Sequence, residues 1–566
     1  MRAALLALAF VLSLFLGRLV QLQGLDAPAY AAAAAENRLR TVTLPATRGS
    51  ILDRNGIALA TSVEARNVTA DQKLIAESTK TDAHAIAVKL SPLVGIGADT
   101  LTKRLTGTRR FVYVAKDVTP ETWREISKLE LVGIFSEKVG KRVYPGGSLA
   151  GNVVGFVGAD GHGLGGVEYA LQDTLAGRDG QATYERSEDG LQIPVATSMN
   201  RAPVPGTDVV LTIDRDIQWI AENAVAAKVK EVKAASGSVV VLDPRTGRVL
   251  ALAAAPVVDP NRPGRSKPAD RGNRPLEEAF EPGSTGKLLT ASALIEEGAV
   301  TPSTPITVPK RLARAGKTFK DWEEHGELHL TYAGTVARSS NMGTILATER
   351  MGFDKLYSHF REFGVGERLD LGLPENGGSL PRPEDWSVTT PYTLAFGQSY
   401  SVNALQMASM VGAIANDGVR VHPRVVEAYL HEDATREPPR PPRRVRVISV
   451  DTARTVRLLM EGVVGEGGTA PNTAIPGYRI GGKTGTAQRY EPSCGCYRGY
   501  TMSYIGIAPA DDPALVVAVT LQNPQSGSGG GSTAGPVFKE VMSFALQSER
   551  IPPTGAAPPK VRLTTD

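Results

Sequence analysis

The feature that most constrains this 566-residue sequence is an apolar run at its N-terminus. Residues 3–20 are mostly apolar, and Arg18 is the only charge among them. As a helix they would span about 27 Å, slightly less than a hydrocarbon core of about 30 Å. The run therefore predicts a transmembrane anchor over residues 1–23, with a signal peptide cleaved near Ala29–Ala31 as the alternative. In both cases the rest of the chain is expected outside the cytoplasm.

Composition and charge describe an ordinary folded chain. Hydrophobic residues make up 42% and charged residues 22%, which is typical of globular proteins and not of disordered ones. The 63 basic and 59 acidic side chains give a net charge of +4, so the sequence gives no support for a nucleic-acid partner. The two cysteines, Cys494 and Cys496, exclude a disulfide scaffold and a four-cysteine zinc site. Their spacing leaves a disulfide and two free thiols equally open.

Three regions follow the N-terminal run. Residues 24–205 show short strands and turns, which predicts a β-rich domain. Residues 206–550 combine strands with amphipathic helices, which predicts a sheet faced by helices. Residues 551–566 contain four prolines and are expected to be disordered. The clearest elements of the middle region are predicted strands at 208–213, 238–243, 248–252, 502–507 and 514–521, and predicted helices at 216–232, 288–296, 332–338, 341–350 and 405–415.

Several motifs resemble chemical sites but are better explained as turns or surface residues. Gly477–Thr484 matches the phosphate-loop pattern, yet prolines interrupt the strand that such a loop needs before it. Gly161–Gly166 matches the dinucleotide pattern, but no second βαβ unit follows it. His325 and His329 lie four residues apart without an evident third ligand. We therefore expect no metal ion, nucleotide or other cofactor.

The first part of a catalytic constellation lies at Ser284, where the sequence Glu-Pro-Gly-Ser-Thr-Gly-Lys leads into an apolar helix. A serine at a helix start is usually only a cap. Lys287, however, follows three residues later and therefore lies on the same face one turn along. A lysine held among apolar neighbours has a lowered pKa and is able to accept the serine proton.

The second part is the triplet Ser339-Ser340-Asn341, which lies 55 residues after Ser284. Two polar side chains separated by one residue at a helix junction are able to point into a shared cleft. An isolated triplet of this kind has little value, because such triplets occur by chance. Its order and spacing relative to the other parts make Ser339 and Asn341 candidate site residues.

The third part is Lys483-Thr484-Gly485-Thr486, which reads as a strand. Lys483 and Gly485 alternate along this strand and are therefore expected to face the same side. A cation there is able to hold a substrate carboxylate, and the glycine leaves the strand face clear for an extended peptide. The main-chain N–H groups of Ser284 and Thr486 are then expected to converge as an oxyanion hole.

The three motifs in this order form the signature of penicillin-binding proteins and β-lactamases. The sequence resembles the class B penicillin-binding proteins over residues 48–538. Arg48–Gly56 and Arg142–Glu168 resemble the family's non-catalytic signatures, and Gly397–Asn416 resembles a segment near its catalytic pocket. One departure is Ser399, which stands where many relatives have glycine.

The resemblance implies a multidomain fold. Its catalytic part would be an α/β transpeptidase domain of the penicillin-binding-protein and β-lactamase type, in which helices flank a central antiparallel sheet. An elongated β-rich pedestal domain of the class B dimerisation type and one transmembrane helix would precede it. These expectations assign residues 24–205 to the pedestal and residues 206–550 to the catalytic domain.

The resemblance also implies a reaction on cell-wall stem peptides that end in D-Ala-D-Ala. Ser284 would attack the penultimate carbonyl with Lys287 as the base, and β-lactams would acylate the same serine. Ser339 and Asn341 would relay protons and hold the peptide, and Lys483 would complete the catalytic set.

The remaining motif residues are expected to bind the substrate. Thr484 and Thr486 would bind the terminal carboxylate and orient the carbonyl, together with the cation of Lys483. Gly485 would leave the strand free for the peptide.

The Cys494-Gly-Cys496 element and the stretch Asp160–Gly163 look most like septal transpeptidases of actinobacteria. The expected role is therefore crosslinking at the division septum, with the membrane, a glycan polymerase and other division proteins as partners. A lateral-wall transpeptidase would share the three motifs. A carboxypeptidase or β-lactamase is less favoured because hydrolysis does not need the long N-terminal region, and a non-enzymatic β-lactam sensor is a further alternative.

Overall fold

The computed structural model describes residues 1–27, 39–79, 81–185, 198–491 and 494–565. It begins with an α-helix over Arg2–Val20 that continues into a π-helical turn over Gln21–Leu25. The span Arg2–Leu25 has a mean hydropathy of 2.3, and none of its most apolar window is buried. By length and composition this helix is able to cross a membrane, and an N-terminal signal sequence would have the same properties. The proposed cleavage site at Ala29–Ala31 lies outside the described residues.

Contacts divide the chain into two units that interleave along the sequence. The smaller unit comprises Met1–Gly49, Glu64–Lys141 and Ala176–Gly206, and the larger comprises Ser50–Val63, Arg142–Leu175 and Thr207–Asp566. The single boundary expected at residue 205 therefore differs from the division by contacts. The reason is strand pairing: Ile51–Leu52 runs parallel to Asp208–Leu211, which pairs on its other side with Val426–Leu430.

The smaller unit is a mixed α/β structure, whereas the sequence indicated few long helices there. Two of its helices, Ala83–Val94 and Pro120–Lys128, begin at side-chain caps, whereas Ala98–Leu105 begins at Gly97 without one. The side chain of Asp82 accepts a hydrogen bond from the Ala85 N–H, and Thr119 does the same for the Thr122 N–H. Besides the N-terminal helix, the elements of this unit are the strands Leu39–Leu44, Val112–Val118, Gly180–Glu185 and Ser198–Arg201, most of Ile134–Val143, the later part of Ala58–Ala70, and the helices Gln72–Ala76, Ala83–Val94, Ala98–Leu105 and Pro120–Lys128.

The larger unit is built on the predicted antiparallel sheet, whose strands we number here in chain order. They are β1 (Ser236–Leu242), β2 (Val249–Ala255), β3 (Gly481–Glu491), β4 (Cys496–Ala508) and β5 (Leu515–Gln522). Their spatial order is β2-β1-β5-β4-β3, and every neighbouring pair is antiparallel. Within this sheet β3 is an edge strand, because its only sheet partner among the described residues is β4.

Both faces of the sheet are covered by helices, as the sequence predicts. Every residue of β1 is buried, and alternate valines lie in different core clusters because successive side chains point to opposite faces. On one face Val239 belongs to the same core cluster as Ile217 and Phe538, and on the other face Val240 belongs to the same core cluster as Leu405 and Leu289.

The predicted helices at 216–232, 288–296 and 405–415 are confirmed to within one residue at each end. They are observed as Arg215–Glu231, Lys287–Glu296 and Ala404–Ala415. Other elements of the larger unit are the helices Gly151–Val154, Gly166–Ala170, Arg274–Glu277, Tyr332–Ala337, Asn341–Thr348, Phe353–Glu362, Thr390–Ala395, Val450–Val464, Gly530–Thr533 and Gly535–Ser548, and the strands Ile51–Leu52, Pro305–Val308, Leu312–Arg314, Lys317–Phe319, Leu328–Thr331, Val419–Val421, Arg436–Glu437 and Arg444–Arg446.

The segment Arg142–Glu168, one of the two non-catalytic signatures, contains a buried ion pair. Arg142 Nε donates to Glu168 Oε1 over 2.7 Å, and the two side chains are only 5% and 0% exposed. The Tyr144 hydroxyl donates to the same carboxylate oxygen over 3.3 Å. Removing either charge would leave the other buried without a partner, which is strongly destabilising. The ion pair therefore fixes this segment within the larger unit.

The C-terminal residues differ from the disordered tail that the prolines indicated. The Thr331 N–H donates to the Leu563 carbonyl over 3.1 Å, and the Thr331 hydroxyl donates to the Arg562 carbonyl over 2.7 Å. Leu330 and Thr564 form an antiparallel bridge. Prolines keep a chain extended, and an extended chain is able to pair with the free edge of a short sheet.

Candidate active site

Ser284 lies in a 3₁₀ turn over Gly283–Gly286 that leads directly into the helix Lys287–Glu296. Gly283 has φ +54°, a backbone conformation that glycine adopts without strain. A Cβ at this position would lie 2.9 Å from the Cβ of Ala487 on β3. The serine turn therefore packs closely against the strand that carries the third motif.

Lys287 is buried, with 1% of its surface exposed. Its Nζ donates to the Ser339 carbonyl over 2.5 Å and to Asn341 Oδ1 over 2.7 Å, and it lies 3.3 Å from Ser339 Oγ. Burial lowers the pKa of Lys287 to about 7, and the negative charge of Asp321 opposes this shift. The amine is therefore able to take up and release a proton near neutral pH.

Ser339 occupies the junction between the helices Tyr332–Ala337 and Asn341–Thr348. Its φ of +60° is rare for a residue with a side chain. This conformation coincides with a shared contact: Ser339 Oγ accepts hydrogen bonds from Lys483 Nζ over 2.8 Å and from Lys287 Nζ over 3.3 Å. One hydroxyl therefore connects two lysines that are far apart in the sequence.

Lys483 on β3 is fully buried. Besides Ser339, its Nζ contacts the carbonyl of Thr484 at 3.2 Å. Burial, and the positive charge of Lys287 nearby, lower the pKa of Lys483 well below its ordinary value. A carboxylate that entered the site would restore the charge on this amine, because an opposite charge favours the ionised form.

The neighbours of Lys483 on β3 have different surroundings. The Thr484 hydroxyl lies 3.1 Å from the Thr469 hydroxyl, and the Thr486 hydroxyl accepts a hydrogen bond from the Gly530 N–H over 3.2 Å. Gly485 differs from the expectation of an open strand face. A Cβ there would lie 2.2 Å from Ser503 Oγ and 3.0 Å from Thr285 Cγ2. The missing side chain thus makes room for β4 and for the serine turn.

Asp321 is a site residue that the sequence did not reveal. Its Oδ1 accepts hydrogen bonds from the N–H groups of Asn341, over 2.6 Å, and Met342, over 3.0 Å. Its Oδ2 accepts from the Ser340 hydroxyl over 2.6 Å and lies 3.1 Å from His325 Nε2. The carboxylate therefore holds the start of the helix Asn341–Thr348, where negative charge is favoured. No motif surrounds Asp321, and only the fold brings it to this helix.

His325 and His329 do not share a ligand site. The His325 side chain is 15% exposed and contacts Asp321, so it is less accessible than a typical surface histidine. His329 is half exposed and lies near Glu327. Among the described ranges, no group of three or more His, Cys, Asp or Glu side chains could hold a metal ion.

A second carboxylate, Glu281, lies three residues before Ser284 and is partly buried. Its Oε1 accepts hydrogen bonds from the Ser399 N–H over 3.0 Å and from the Tyr497 hydroxyl over 2.9 Å. Burial raises the pKa of Glu281. Ser399, the departure from the family pattern, is thus tied through its backbone to the segment that carries Ser284.

Tyr497 follows the two cysteines, which are joined in a disulfide between Cys494 and Cys496. This settles the alternative that the sequence left open. The disulfide lies at the tip of the hairpin that joins β3 and β4.

The local structure of the two nucleotide patterns differs from that of phosphate-binding loops. Lys483 and Thr484 of the phosphate-loop pattern belong to a strand that continues to Glu491, so no helix follows to face a phosphate. Gly163 of the dinucleotide pattern pairs with Val157 in an isolated bridge.

An antiparallel sheet with helices on both faces, and a serine and two lysines gathered at one strand, define a serine enzyme of the S-x-x-K class. The comparisons with known proteins agree. The domain family "Penicillin binding protein transpeptidase domain" matches residues 237–543, and "Penicillin-binding Protein dimerisation domain" matches residues 43–211.

Relatives match over nearly the whole chain. Penicillin-binding protein PbpB of Mycolicibacterium smegmatis is 39% identical over 97% of this chain and 90% of that protein. Peptidoglycan D,D-transpeptidase FtsI of Escherichia coli K12 is 33% identical over 97% of this chain and 91% of that protein. The crystal structure of penicillin-binding protein 3 from Mycobacterium tuberculosis with aztreonam has a TM-score of 0.73 at 35% identity, covering 93% of this chain and all of that chain. The chain belongs to the class B penicillin-binding proteins, with a dimerisation domain and a transpeptidase domain.

Proposed function

We propose that this chain crosslinks peptidoglycan stem peptides through an acyl-enzyme on Ser284, during septal cell-wall synthesis. The observation that carries the proposal is the contact of both Lys287 and Lys483 with one hydroxyl, that of Ser339. The serine turn packs against β3 beside this cluster. A nucleophile, a neutral amine and a proton-relaying hydroxyl are the groups that acyl transfer requires.

In the first step, Ser284 Oγ attacks the carbonyl carbon of the penultimate D-alanine and transfers its proton to Lys287 Nζ. The main-chain N–H groups of Ser284 and Thr486 stabilise the oxyanion that forms. The C–N bond then breaks, and the leaving amine of the terminal D-alanine takes a proton from Lys287 through the Ser339 hydroxyl. An ester between Ser284 and the donor peptide remains.

Substrate binding uses the third motif. The terminal carboxylate of the donor lies against Lys483, whose buried amine gains a proton when that negative charge arrives. The hydroxyls of Thr484 and Thr486 orient the carboxylate and the scissile carbonyl. Because β3 is an edge strand, an extended stem peptide is able to add to the sheet beside it.

In the second step, the amine of a neighbouring stem peptide attacks the ester carbonyl, and Ser284 leaves with the proton that the amine gives up. Water competes for the same carbonyl. Efficient crosslinking therefore requires that the ester persists until the acceptor amine arrives. β-Lactams acylate Ser284 as mimics of the donor and block the second step.

The N-terminal helix anchors the chain in the membrane, with the transpeptidase domain on the outer side. The septal role is supported by the likeness of Cys494-Gly-Cys496 and Asp160–Gly163 to septal enzymes, and by the similarity to FtsI and PbpB. A glycan polymerase and other division proteins are the expected partners. A fluorescent fusion that labels the lateral wall instead of the division site would contradict the septal role.

The decisive test of the chemistry is the variant Ser284→Ala with a fluorescent penicillin. We expect no covalent labelling and no crosslinked product, because the hydroxyl that carries the acyl group is gone. Mass spectrometry of the wild type should place the adduct on the peptide that contains Ser284.

The matched control is Ser303→Ala, which removes an exposed serine from a loop of the same unit. This variant should be labelled like the wild type. If Ser284→Ala were folded and still labelled, the assignment of the nucleophile would be wrong. Rapid turnover of the penicillin by the wild type would favour a hydrolase.

A further inference from the structure

A cavity of about 440 Å³ opens on the larger unit, and none of its lining residues belongs to the acyl-transfer site. Its volume lies in the range of small-molecule sites, about 300–1,000 Å³. The charged side chains that line it are four arginines and two glutamates: Arg361, Arg420, Arg443, Arg446, Glu362 and Glu367. The lining therefore carries an excess of two positive charges.

Arg420 lies at the base of this charge cluster and is only 3% exposed. One of its terminal nitrogens donates to the Phe363 carbonyl over 2.7 Å, and the other donates to Glu367 Oε2 over 2.5 Å. Its Nε is buried and has no hydrogen-bond partner within the described ranges. A buried guanidinium nitrogen without a partner is unfavourable unless another group satisfies it.

Glu367 joins two of the arginines. Its other oxygen accepts a hydrogen bond from Arg443 over 3.2 Å. The carboxylate thus fixes Arg420 and Arg443 relative to each other before any ligand arrives, which reduces the entropy cost of binding.

The other two arginines have no carboxylate partner within the part of the chain that the structure describes. Arg361 donates to the Val365 carbonyl over 3.4 Å. Arg446 donates to the carbonyls of Asp417, over 2.9 Å, and Ile448, over 3.2 Å. Both guanidinium groups are on exposed residues and keep N–H groups available for an anion.

His422 also lies against the arginine cluster. Burial and the charge of Arg420 lower the pKa of His422, although Glu367 opposes the effect. The His422 ring nitrogen Nε2 lies 3.3 Å from Arg420. The neutral form of the histidine is therefore favoured, chiefly because the ring is buried.

We propose that this cavity binds a dianionic phosphate group carried by a small organic molecule. Guanidinium groups match phosphate oxygens with paired hydrogen bonds. A phosphate monoester carries about two negative charges near pH 7, which balances the excess of the lining. The cavity is larger than a phosphate group alone, so part of it is left for the organic portion.

The test is a calorimetric titration of the purified full chain in detergent with inorganic pyrophosphate at low ionic strength. The wild type should bind saturably. The double variant Arg443→Gln/Arg446→Gln should bind about tenfold more weakly or worse, because it removes two charge-assisted contacts. Labelling by a fluorescent penicillin should be unchanged and shows that the variant is folded.

The matched control is Arg436→Gln/Arg440→Gln, which removes two charges from the same exposed segment outside the cavity lining. It should keep the affinity of the wild type to within about twofold. Equal weakening in both double variants would overturn the proposal, since it would show a general effect of surface charge. Absence of saturable binding, or equally tight binding of citrate, would also overturn it.

A second titration distinguishes the sources of the phosphate. Short-chain phosphatidic acid, added as monomers, is compared with pyrophosphate. Tighter binding of the lipid that is lost in Arg443→Gln/Arg446→Gln identifies a membrane-derived headgroup. Tighter binding of pyrophosphate identifies a soluble phosphate.

Discussion

At the scale of single residues, the site depends on burying two lysines that share one hydroxyl. An ammonium group is costly to bury, and two such groups near each other are more costly still. Both amines have lowered pKa values, so each can lose its charge in the buried site. Oxygen acceptors around each amine also stabilise it through hydrogen bonds. Lys287 is thereby able to act as a base at neutral pH without a histidine.

The first prediction concerns the pH dependence of acylation. The base works only when neutral, so the rate of acylation by a β-lactam should rise with pH through a midpoint near 7, the pKa of Lys287. At pH 5 the rate should be about one hundredth of its plateau, because only that fraction of the amine is neutral. Stopped-flow measurement of penicillin acylation between pH 5 and 9 checks this.

The variant Lys287→Arg serves as the comparison. A guanidinium stays protonated across this range, so acylation should fall by roughly 10²–10⁴-fold and lose its midpoint. A wild-type rate independent of pH between 5 and 9 would show that Lys287 is not the base.

Much of the site could be predicted from the sequence at this scale. Ser284 and Lys287 lie three residues apart, within one helical turn. Their order relative to Ser339 and Lys483 indicates a serine acyl-transfer enzyme. Asp321 could not be predicted, because its contacts with the triplet arise only when the chain between them folds back.

At the scale of elements, the helix Asn341–Thr348 places Asn341 beside Lys287, and Asp321 anchors its first turn. Apolar periodicity predicted this helix at 341–350, two residues longer than observed. The amphipathic helices Phe353–Glu362 and Val450–Val464 carried similar patterns, including a Ser449 cap, but were not among the predicted elements.

The second prediction concerns Asp321→Asn. This change keeps the shape of the side chain but removes its charge, so acylation should slow by about tenfold as the Asn341 helix loosens. The charge of Asp321 raises the pKa of Lys287, and its loss should move the midpoint of the pH profile to lower pH. The same stopped-flow profile measures both effects.

The control is Glu323→Gln, which removes an exposed charge two residues away. Its profile should coincide with that of the wild type. An unshifted midpoint in Asp321→Asn, with only a lower plateau, would mean that Asp321 is purely structural.

At the scale of the whole molecule, the prediction that composition gave for the C-terminal residues differs from the structure. Four prolines indicated disorder, yet residues 562–564 bond to Leu328–Thr331 and approach Gly334 closely. Composition depends only on which residues a segment contains. It therefore could not predict that the tail pairs with a strand more than 200 positions earlier in the chain. A sheet faced by helices could be predicted from the apolar strands and amphipathic helices, whereas the antiparallel transpeptidase fold was implied by the family resemblance.

The third prediction follows from this docking. Removing residues 551–566 should lower the midpoint of thermal unfolding by a few degrees, since at least four hydrogen bonds to the rest of the unit and the packing beside Gly334 are lost. Differential scanning calorimetry measures it. The exposed substitution Lys560→Ala should leave the midpoint unchanged, and an unchanged midpoint in the truncated protein would contradict a stabilising tail.

The interleaving of the two units restricts how the protein can be dissected. A fragment that begins at residue 206 lacks Ile51–Leu52, the strand that pairs with one side of Asp208–Leu211. The backbone amides exposed there would be able to pair with other chains and promote aggregation. A soluble catalytic fragment would have to retain Ser50–Val63 and Arg142–Leu175, with short linkers joining these segments to each other and to Thr207. A single crossover point would likewise be unable to exchange either unit whole, because each unit is made of three separate segments.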